Sequence, residues 1–331
     1  MPLAFVTGAT GFVGSHVART LCTKGWTVRA LARASGRLRG DLLGGQSVEE
    51  VAGDLSDESV LRRAVDGVDA IVHVAGLVKA RSLEDYREVN VRGTERLLAA
   101  GRAASPQAVF LLVSSQAAAG PSRSGAPVTE EDPALPVSWY GLSKREGEVA
   151  VTSGWTGRWS VLRPGVVYGP GDRGLLVYFR MAAAGWIPVP TPQRLVQIVE
   201  VSQVAEAIAR ALEAPGAWGR VGFLCDPLPV RLEELAAAIA SLPPRRARLI
   251  RVPDIAVRAL GLGESLVELL TRRSRAFNAD KAREILAGDW LCDGLPTRSR
   301  LRLPPPIPLA EGLAAAWSWY REAGWLADEA L

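Results

Sequence analysis

Leu3-Ala-Phe-Val-Thr-Gly-Ala-Thr-Gly-Phe-Val-Gly-Ser-His-Val17 is the stretch from which the fold is read. An apolar run breaks into three glycines and resumes with helical spacing, which is the order strand, tight turn, helix. Gly8, Gly11 and Gly14 stand at every third position. A chain leaving a strand there needs a sharp turn, a backbone that can approach a pyrophosphate, and a helix packed close to the sheet. A helix beginning near Gly11 aims its unpaired N–H groups and positive dipole end at phosphates. Thr7, Gly8, Thr10, Gly11, Phe12, Val13 and Gly14 therefore form the first candidate binding set.

Outward from that turn, short apolar or β-branched runs recur at 27–32, 48–52, 69–74, 108–113 and 159–163. Helical patterns at about 12–24, 56–66, 83–103 and 138–152 separate them, and Ser56 is the expected N-cap of the second. Strands alternating with helices imply an α/β fold: a Rossmann-type, doubly wound parallel sheet with helices on both faces. After Pro164 the pattern loosens, with a strand expected at 194–199 and helices at 202–213 and 231–241. A helix at 309–323 carries Trp317, Trp319 and Tyr320 as core residues. The expected division is a dinucleotide-binding unit with the catalytic residues over 1–164 and a smaller, mainly substrate-binding part over 165–331. The chain is expected to cross back to the sheet near 194–225.

Composition sets the class. Of 331 residues, 48% are hydrophobic and 22% charged, the profile of an ordered globular chain. No apolar stretch is long enough to span a bilayer, and the start of the chain enters a strand at once, so a cytoplasmic location is expected. Cys22, Cys225 and Cys292 are odd in number and far apart, which argues against a disulfide framework. With only His16 and His73 beside them, no metal site is expected. The net charge of +4 comes from scattered arginines without a nucleic-acid-binding motif, so no nucleic-acid partner is expected.

The end of the second strand lies beside the adenosine ribose in such folds. An acid there accepts from ribose hydroxyls, whereas an arginine pairs with a 2′-phosphate. Arg33 and Arg37 stand in that stretch, which makes NADP(H) the expected cofactor and NAD(H) the alternative. Asp54 and Leu55 follow the third strand, placed to meet the adenine. His73, Ala75 and Gly76 follow the fourth, where His73 reads as a packed neighbour of the cofactor rather than a proton carrier.

The strongest local signal is Tyr140-Gly-Leu-Ser-Lys144, preceded on the fifth strand by Val113-Ser114-Ser115. Positions i and i+4 share a helix face, so Lys144 can lie beside the ribose while its charge lowers the phenol pKa of Tyr140. Ser115 can hold a substrate oxygen against the Tyr140 hydroxyl.

The ordered set Thr7 to Gly14, Gly53-Asp54-Leu55, His73 to Gly76, Val89-Asn90-Val-Arg-Gly-Thr94, Ser114-Ser115, Tyr140 to Lys144 and Arg163 to Pro170 resembles the extended short-chain dehydrogenase/reductase family. That group includes NAD-dependent epimerases and dehydratases, 3β-hydroxysteroid dehydrogenases and dihydroflavonol reductases. The resemblance implies that Ser115, Tyr140 and Lys144 are the catalytic triad. It further implies that Asn90 helps position the lysine, that Pro164, Gly165, Val166 and Val167 border the nicotinamide, and that Ser114 is structural. It also implies a homodimer built on the helices that carry Asn90 and Tyr140. Two departures stand out. The 199–207 segment lacks the aromatic or histidine and paired aspartate usual before the next helix, and Gln116 and Ala117 replace the acidic pair of dehydratases.

The function expected is hydride transfer between NADP(H) and a ketone or secondary alcohol of a small molecule. The region that begins near Gly165 holds Trp186, Trp218, Val189, Leu195 and Val196 with few clustered acids or bases, which points to a fairly apolar or mixed substrate, and any single one of these residues reads more readily as core. A sugar-nucleotide epimerase is the alternative. A non-catalytic nucleotide-binding subunit is disfavoured because a pure binder has no use for Ser115 and Tyr140.

Overall fold

The computed structural model describes residues 1–33, 38, 40–123, 125–271 and 279–326. Its first half alternates strand and helix: β1 (Leu3–Thr7), α1 (Phe12–Thr23), β2 (Thr27–Ala32), α2 (Gly40–Leu43), β3 (Glu49–Ala52), α3 (Glu58–Ala64) and β4 (Ala70–His73). There follow α4 (Leu83–Arg87), α5 (Gly93–Ala104), β5 (Val109–Val113), α6 (Trp139–Gly154) and β6 (Trp159–Pro164). The second half holds β7 (Val166–Tyr168), α7 (Leu176–Ala183), β8 (Trp186–Thr191), β9 (Leu195–Val196), β10 (Ile198–Glu200), α8 (Val201–Glu213), β11 (Arg220–Leu224) and β12 (Val230–Arg231). It closes with α9 (Leu232–Ala240), β13 (Arg248–Pro253), α10 (Asp254–Thr271), α11 (Ala279–Leu286), α12 (Leu295–Arg300) and α13 (Leu309–Glu322).

Among the described residues the central sheet has seven strands in the order β11-β6-β5-β4-β1-β2-β3. All its neighbours run parallel. Parallel strands buried on both faces read as near-continuous apolar runs, and β5, Val-Phe-Leu-Leu-Val, is buried throughout. One face packs on α1 and α8 through Val17, Leu21, Val204 and Ile208. The other packs on α3, α5 and α6 through Leu61, Leu97, Leu98, Val151 and Trp155. Strand order reverses between β1 and β4, and the crevice at their carboxyl ends is where ligands of open α/β sheets bind. A third core joins α7, α9, α13 and β8, with Phe179, Ile187, Ile239 and Tyr320 buried in it. No described helix is long and apolar enough to cross a membrane.

Three local expectations give way to finer structure. The helix expected over 83–103 is divided by a π-helical turn at Glu88–Arg92. One extra residue in a turn barely disturbs an apolar repeat, so periodicity does not reveal it. The strand expected over 194–199 is two short pieces, because Gln197 turns its N–H to the Trp290 carbonyl while its own carbonyl accepts from Val166. Asp57, not Ser56, caps α3, accepting from the Val60 N–H at 3.0 Å, while Ser56 donates to Asp54.

Candidate active site

The glycine turn is built as its spacing implies. Gly8 has φ +78°, a left-handed conformation that only glycine adopts without strain. A Cβ on it would lie 2.6 Å from the Ala75 nitrogen, and one on Gly14 would lie 2.1 Å from the Gly8 carbonyl oxygen. Both glycines thus exist for close approach. Gly11 is the N-cap of α1 and offers no side-chain acceptor, so the first-turn N–H groups of Phe12, Val13 and Gly14 face the crevice uncapped by any side chain. That cradle fits an anion such as a dinucleotide pyrophosphate. His16, on the same helix, contacts the Pro170 carbonyl at 2.8 Å and ties α1 to the 163–170 segment.

Behind the turn lies a buried polar chain. Thr7 Oγ1 accepts from the Ala75 N–H at 3.2 Å and lies 2.7 Å from His73 Nδ1. His73 Nε2 lies 2.9 Å from Thr94 Oγ1, whose own proton goes to the Asn90 carbonyl. That leaves Nε2 as the donor and Nδ1 as the acceptor of a neutral imidazole. Burial, with the Lys144 charge adding to it, pushes the His73 pKa down to about 3. His73 is therefore a fixed neutral spacer between two threonines.

Asn90 sits in the π-helical turn and grips both neighbours. Its Oδ1 accepts from the Leu77 N–H at 2.7 Å, and its Nδ2 donates to the Leu77 carbonyl at 3.1 Å and to Ser143 Oγ at 2.9 Å. A Cβ on Gly76 would lie 3.0 Å from Asn90 Oδ1 and 3.6 Å from Lys144 Nζ, so Gly76, Asn90 and Lys144 meet at one point.

The buried Lys144 ammonium donates to the Val113 carbonyl at 2.7 Å. Burial pushes its pKa down to about 8 against the opposing pull of Glu148. The Ser115 side chain lies beside the Tyr140 phenol, close enough to draw its pKa down. Spacing alone predicts that Lys144 lowers the phenol pKa; burial dominates instead and pushes it up to about 12, with the Ser115 side chain opposing and Glu284 adding to the rise. Ser115 Oγ also accepts from the Ala117 N–H at 3.1 Å, which fixes its position. Ser114 points the other way, donating to Glu148 at 2.6 Å.

Glu148, fully buried, is one residue that motif reading overlooks. It takes two bonds from Arg163, at 2.8 and 2.7 Å, and so pins α6 to β6. Its place four residues after Lys144 is the only local signal of it. Asp280 is a second: its carboxylate accepts the Trp139 N–H, and Ser138 donates to Glu284 at 3.1 Å. No pattern in the chain joins α11 to the start of α6.

The remaining candidates sit at the rim. Arg33 is exposed at the carboxyl end of β2, and its charge helps lower the Asp54 pKa, after the hydrogen bonds from Ser56. Leu55 packs against Gly93. Gly165 lies where a Cβ would meet the Gln197 carbonyl at 2.5 Å, Val166 is exposed and Val167 half-buried. Arg37 lies outside the described residues. Of the apolar set expected to line the substrate region, Val189 and Val196 belong to the third core, and Trp218 packs beside the sheet with its indole N–H on the Ala211 carbonyl.

A family model described as the NAD dependent epimerase/dehydratase family matches residues 4–220. A ceramide reductase of Caulobacter vibrioides is 34% identical over 329 residues, covering 97% of this chain and 95% of that protein. A 4-hydroxy-2-methyl-3-oxo-4-farnesyl-3,4-dihydroquinoline-1-oxide ketoreductase of Stigmatella aurantiaca is 31% identical, covering 82% of this chain and 83% of its own. In fold, the chain is similar to a UDP-glucose 4-epimerase of Thermotoga maritima, with a TM-score of 0.78 at 18% identity over 97% of this chain and 99% of the other.

Proposed function

This chain belongs to the NAD dependent epimerase/dehydratase family, an enzyme family that binds a nicotinamide cofactor, and from that premise we propose that it is an NADP(H)-dependent ketone reductase. Its substrate is a small molecule whose ketone or secondary alcohol sits on a large apolar body. The observation that carries the reading is the Tyr140 phenol with the Ser115 side chain beside it and the buried Lys144 one helical turn on. Two relatives named as reductases, acting on a ceramide and on a farnesylated 3-oxo compound, support both the direction and the apolar body.

When bound, the cofactor supplies a hydride to the carbonyl carbon. The Gly8–Gly14 turn and the start of α1 hold its pyrophosphate, and Arg33 pairs with the 2′-phosphate. Arg37 is assigned to the same phosphate on sequence alone. Asp54 and Leu55 meet the adenine, His73, Ala75 and Gly76 form the floor, and Pro164 to Val167 border the nicotinamide. Ser115 holds the substrate oxygen and Tyr140 donates the proton. A phenol held up to about 12 remains protonated at neutral pH, which suits an acid in the reducing direction. Lys144, at about 8, is still largely charged there and orients the ribose. Asn90 fixes the 76–77 backbone on which Lys144 sits. Arg33 disfavours an epimerase reading, since a 2′-phosphate partner has no role beside a ribose diol.

The division at 164/165 belongs to the same proposal, as does a homodimer through α5 and α6. Light scattering at micromolar concentration should return twice the chain mass. A cytoplasmic location fits the three free thiols. The decisive experiment follows NADPH oxidation against a panel of ketones on apolar bodies: turnover lost in Tyr140→Phe supports the reading, and no turnover with any of them overturns it.

A further inference from the structure

Over residues 255–263 the face of α10 turned to solvent is apolar, the reverse of what a helix on a globular surface needs. At 100° per residue, Val257 and Gly261 point inward and are buried, while Ile255, Ala259 and Leu262 run along the opposite side. Ile255 is 76% exposed, Leu260 58% and Leu262 65%. Residues 255–263 carry a single charge, Arg258, at the edge of that face.

The strand that feeds this helix continues the pattern. On β13, Ile250 is exposed, and Arg248 stands in register with the exposed Trp186 of β8. Arg245, Arg246 and Arg248 are exposed in the segment that leads into and begins β13, and Arg258 is exposed on α10. Nearby acids are already engaged or turned in. Asp254 pairs with Arg194 at 2.5 Å, Glu233 with Arg251 at 3.3 Å, and Glu264 lies half-buried towards the inner side. An outward apolar stripe in a segment whose exposed charges are arginines has the chemistry of an interfacial helix, apolar side chains for the acyl boundary and cations for headgroup phosphates.

We propose that the outer face of β13 and α10 seats on the surface of an anionic phospholipid bilayer. Charge decides between occupants: a second copy of this chain, itself net positive, would bring the arginine cluster against its own like, whereas an anionic surface neutralises it. The patch also lies close to the chemistry. α11 packs against α10, and Asp280 of α11 holds the first turn of the helix that bears Tyr140. A lipid ketone leaving the bilayer at α10 is therefore one helix away from the Tyr140 end of α6. The inference goes beyond the reading of the site, and its test needs no turnover.

The test is flotation of the full chain with vesicles of phosphatidylcholine alone and of phosphatidylcholine with one-third phosphatidylglycerol. Binding to the anionic vesicles is expected to exceed that to the neutral ones by about tenfold or more and to weaken with salt. Ile255→Asn/Leu260→Asn/Leu262→Asn should lose at least about tenfold of that binding while keeping the near-ultraviolet circular dichroism of the parent. Arg245→Gln/Arg246→Gln/Arg248→Gln, which leaves the apolar stripe intact, should abolish the preference for anionic vesicles. The proposal is overturned if the parent chain floats with neither vesicle, or if both variants bind as the parent does. It is also overturned if the apolar variant changes only the mass seen by light scattering, marking a self-association face. A chain that binds vesicles yet reduces no ketone sinks the reading of the site and leaves this one standing.

Discussion

Asp280 accepts the backbone N–H of Trp139 through both carboxylate oxygens, at 2.9 and 3.1 Å, although 141 residues separate the two. A carboxylate at the positive end of α6 satisfies donors that its own first turn cannot, and it holds the segment on which Tyr140 begins the helix. Asp280→Ala should lower stability by about 0.5–2 kcal/mol, the usual cost of a lost cap. Because the phenol then moves with a loosened turn, turnover should fall while the nucleotide dissociation constant stays near that of the parent. Asp280→Asn, which keeps an acceptor, should restore most of both. Urea midpoints beside steady-state kinetics separate the two effects.

Tyr140→Phe keeps the ring and removes the proposed proton donor. Turnover should drop by about 100-fold or more, the range for a positioned acid–base group, with cofactor affinity nearly intact. Ser115→Ala should likewise lower turnover with little change in nucleotide binding. Lys144→Met should harm both, since it deletes the proposed ribose contact and a buried charge. Parent-like turnover in Tyr140→Phe would falsify the proposed acid role.

Arg33 stands exposed at the end of β2, where a 2′-phosphate would lie. NADPH should bind more tightly than NADH, and Arg33→Ala should narrow the gap by about 1.5–3 kcal/mol, the range for hydrogen bonds to charged groups. Fluorescence titrations that gave equal affinities for the two nucleotides would remove the NADP(H) assignment.

His73 sets an acid limit. Its pKa is about 3 in the folded chain and 6.5 in the unfolded one, so between those values the unfolded state binds more protons. Stability from this group is whole above about pH 6.5 and is lost as pH falls towards about 3, by up to about 1.4 kcal/mol per pH unit. His73→Gln, which still offers a donor and an acceptor, should flatten that slope in denaturation midpoints measured from pH 7 to pH 4. An unchanged slope would show that other groups set the acid limit.

Glu148 and Arg163 form a buried, two-bond ion pair between α6 and β6. Arg163→Met removes the two-bond partner and leaves the buried carboxylate to Ser114 and Arg145, which should cost up to about 3–5 kcal/mol, whereas Glu148→Leu/Arg163→Met should recover much of that loss. Thermal unfolding of the parent, the single variant and the double variant checks the order.

Local chemistry was enough to read much of this protein from its sequence. The Gly8, Gly11 and Gly14 spacing, the apolar runs from β1 to β6 and the alternation with helices prescribe a parallel sheet, because each signal concerns residues adjacent in the chain. Tyr140 and Lys144 share a face for the same reason. What only the tertiary structure decided depends on residues brought together from afar. The phenol of Tyr140 is raised rather than lowered because burial, a property of the whole packing, outweighs the downward pull of Ser115, and Glu284 adds to the rise. Asp57 displaces Ser56 as a cap, since Ser56 is drawn to Asp54. His73 is neutral because burial, with the Lys144 charge adding to it, pushes its pKa down, and Thr7 and Thr94, 66 and 21 residues away, fix its tautomer. The Asp280 cap and the outward apolar face of α10 likewise have no signature in spacing, for an amphipathic repeat does not say which side the fold turns to water.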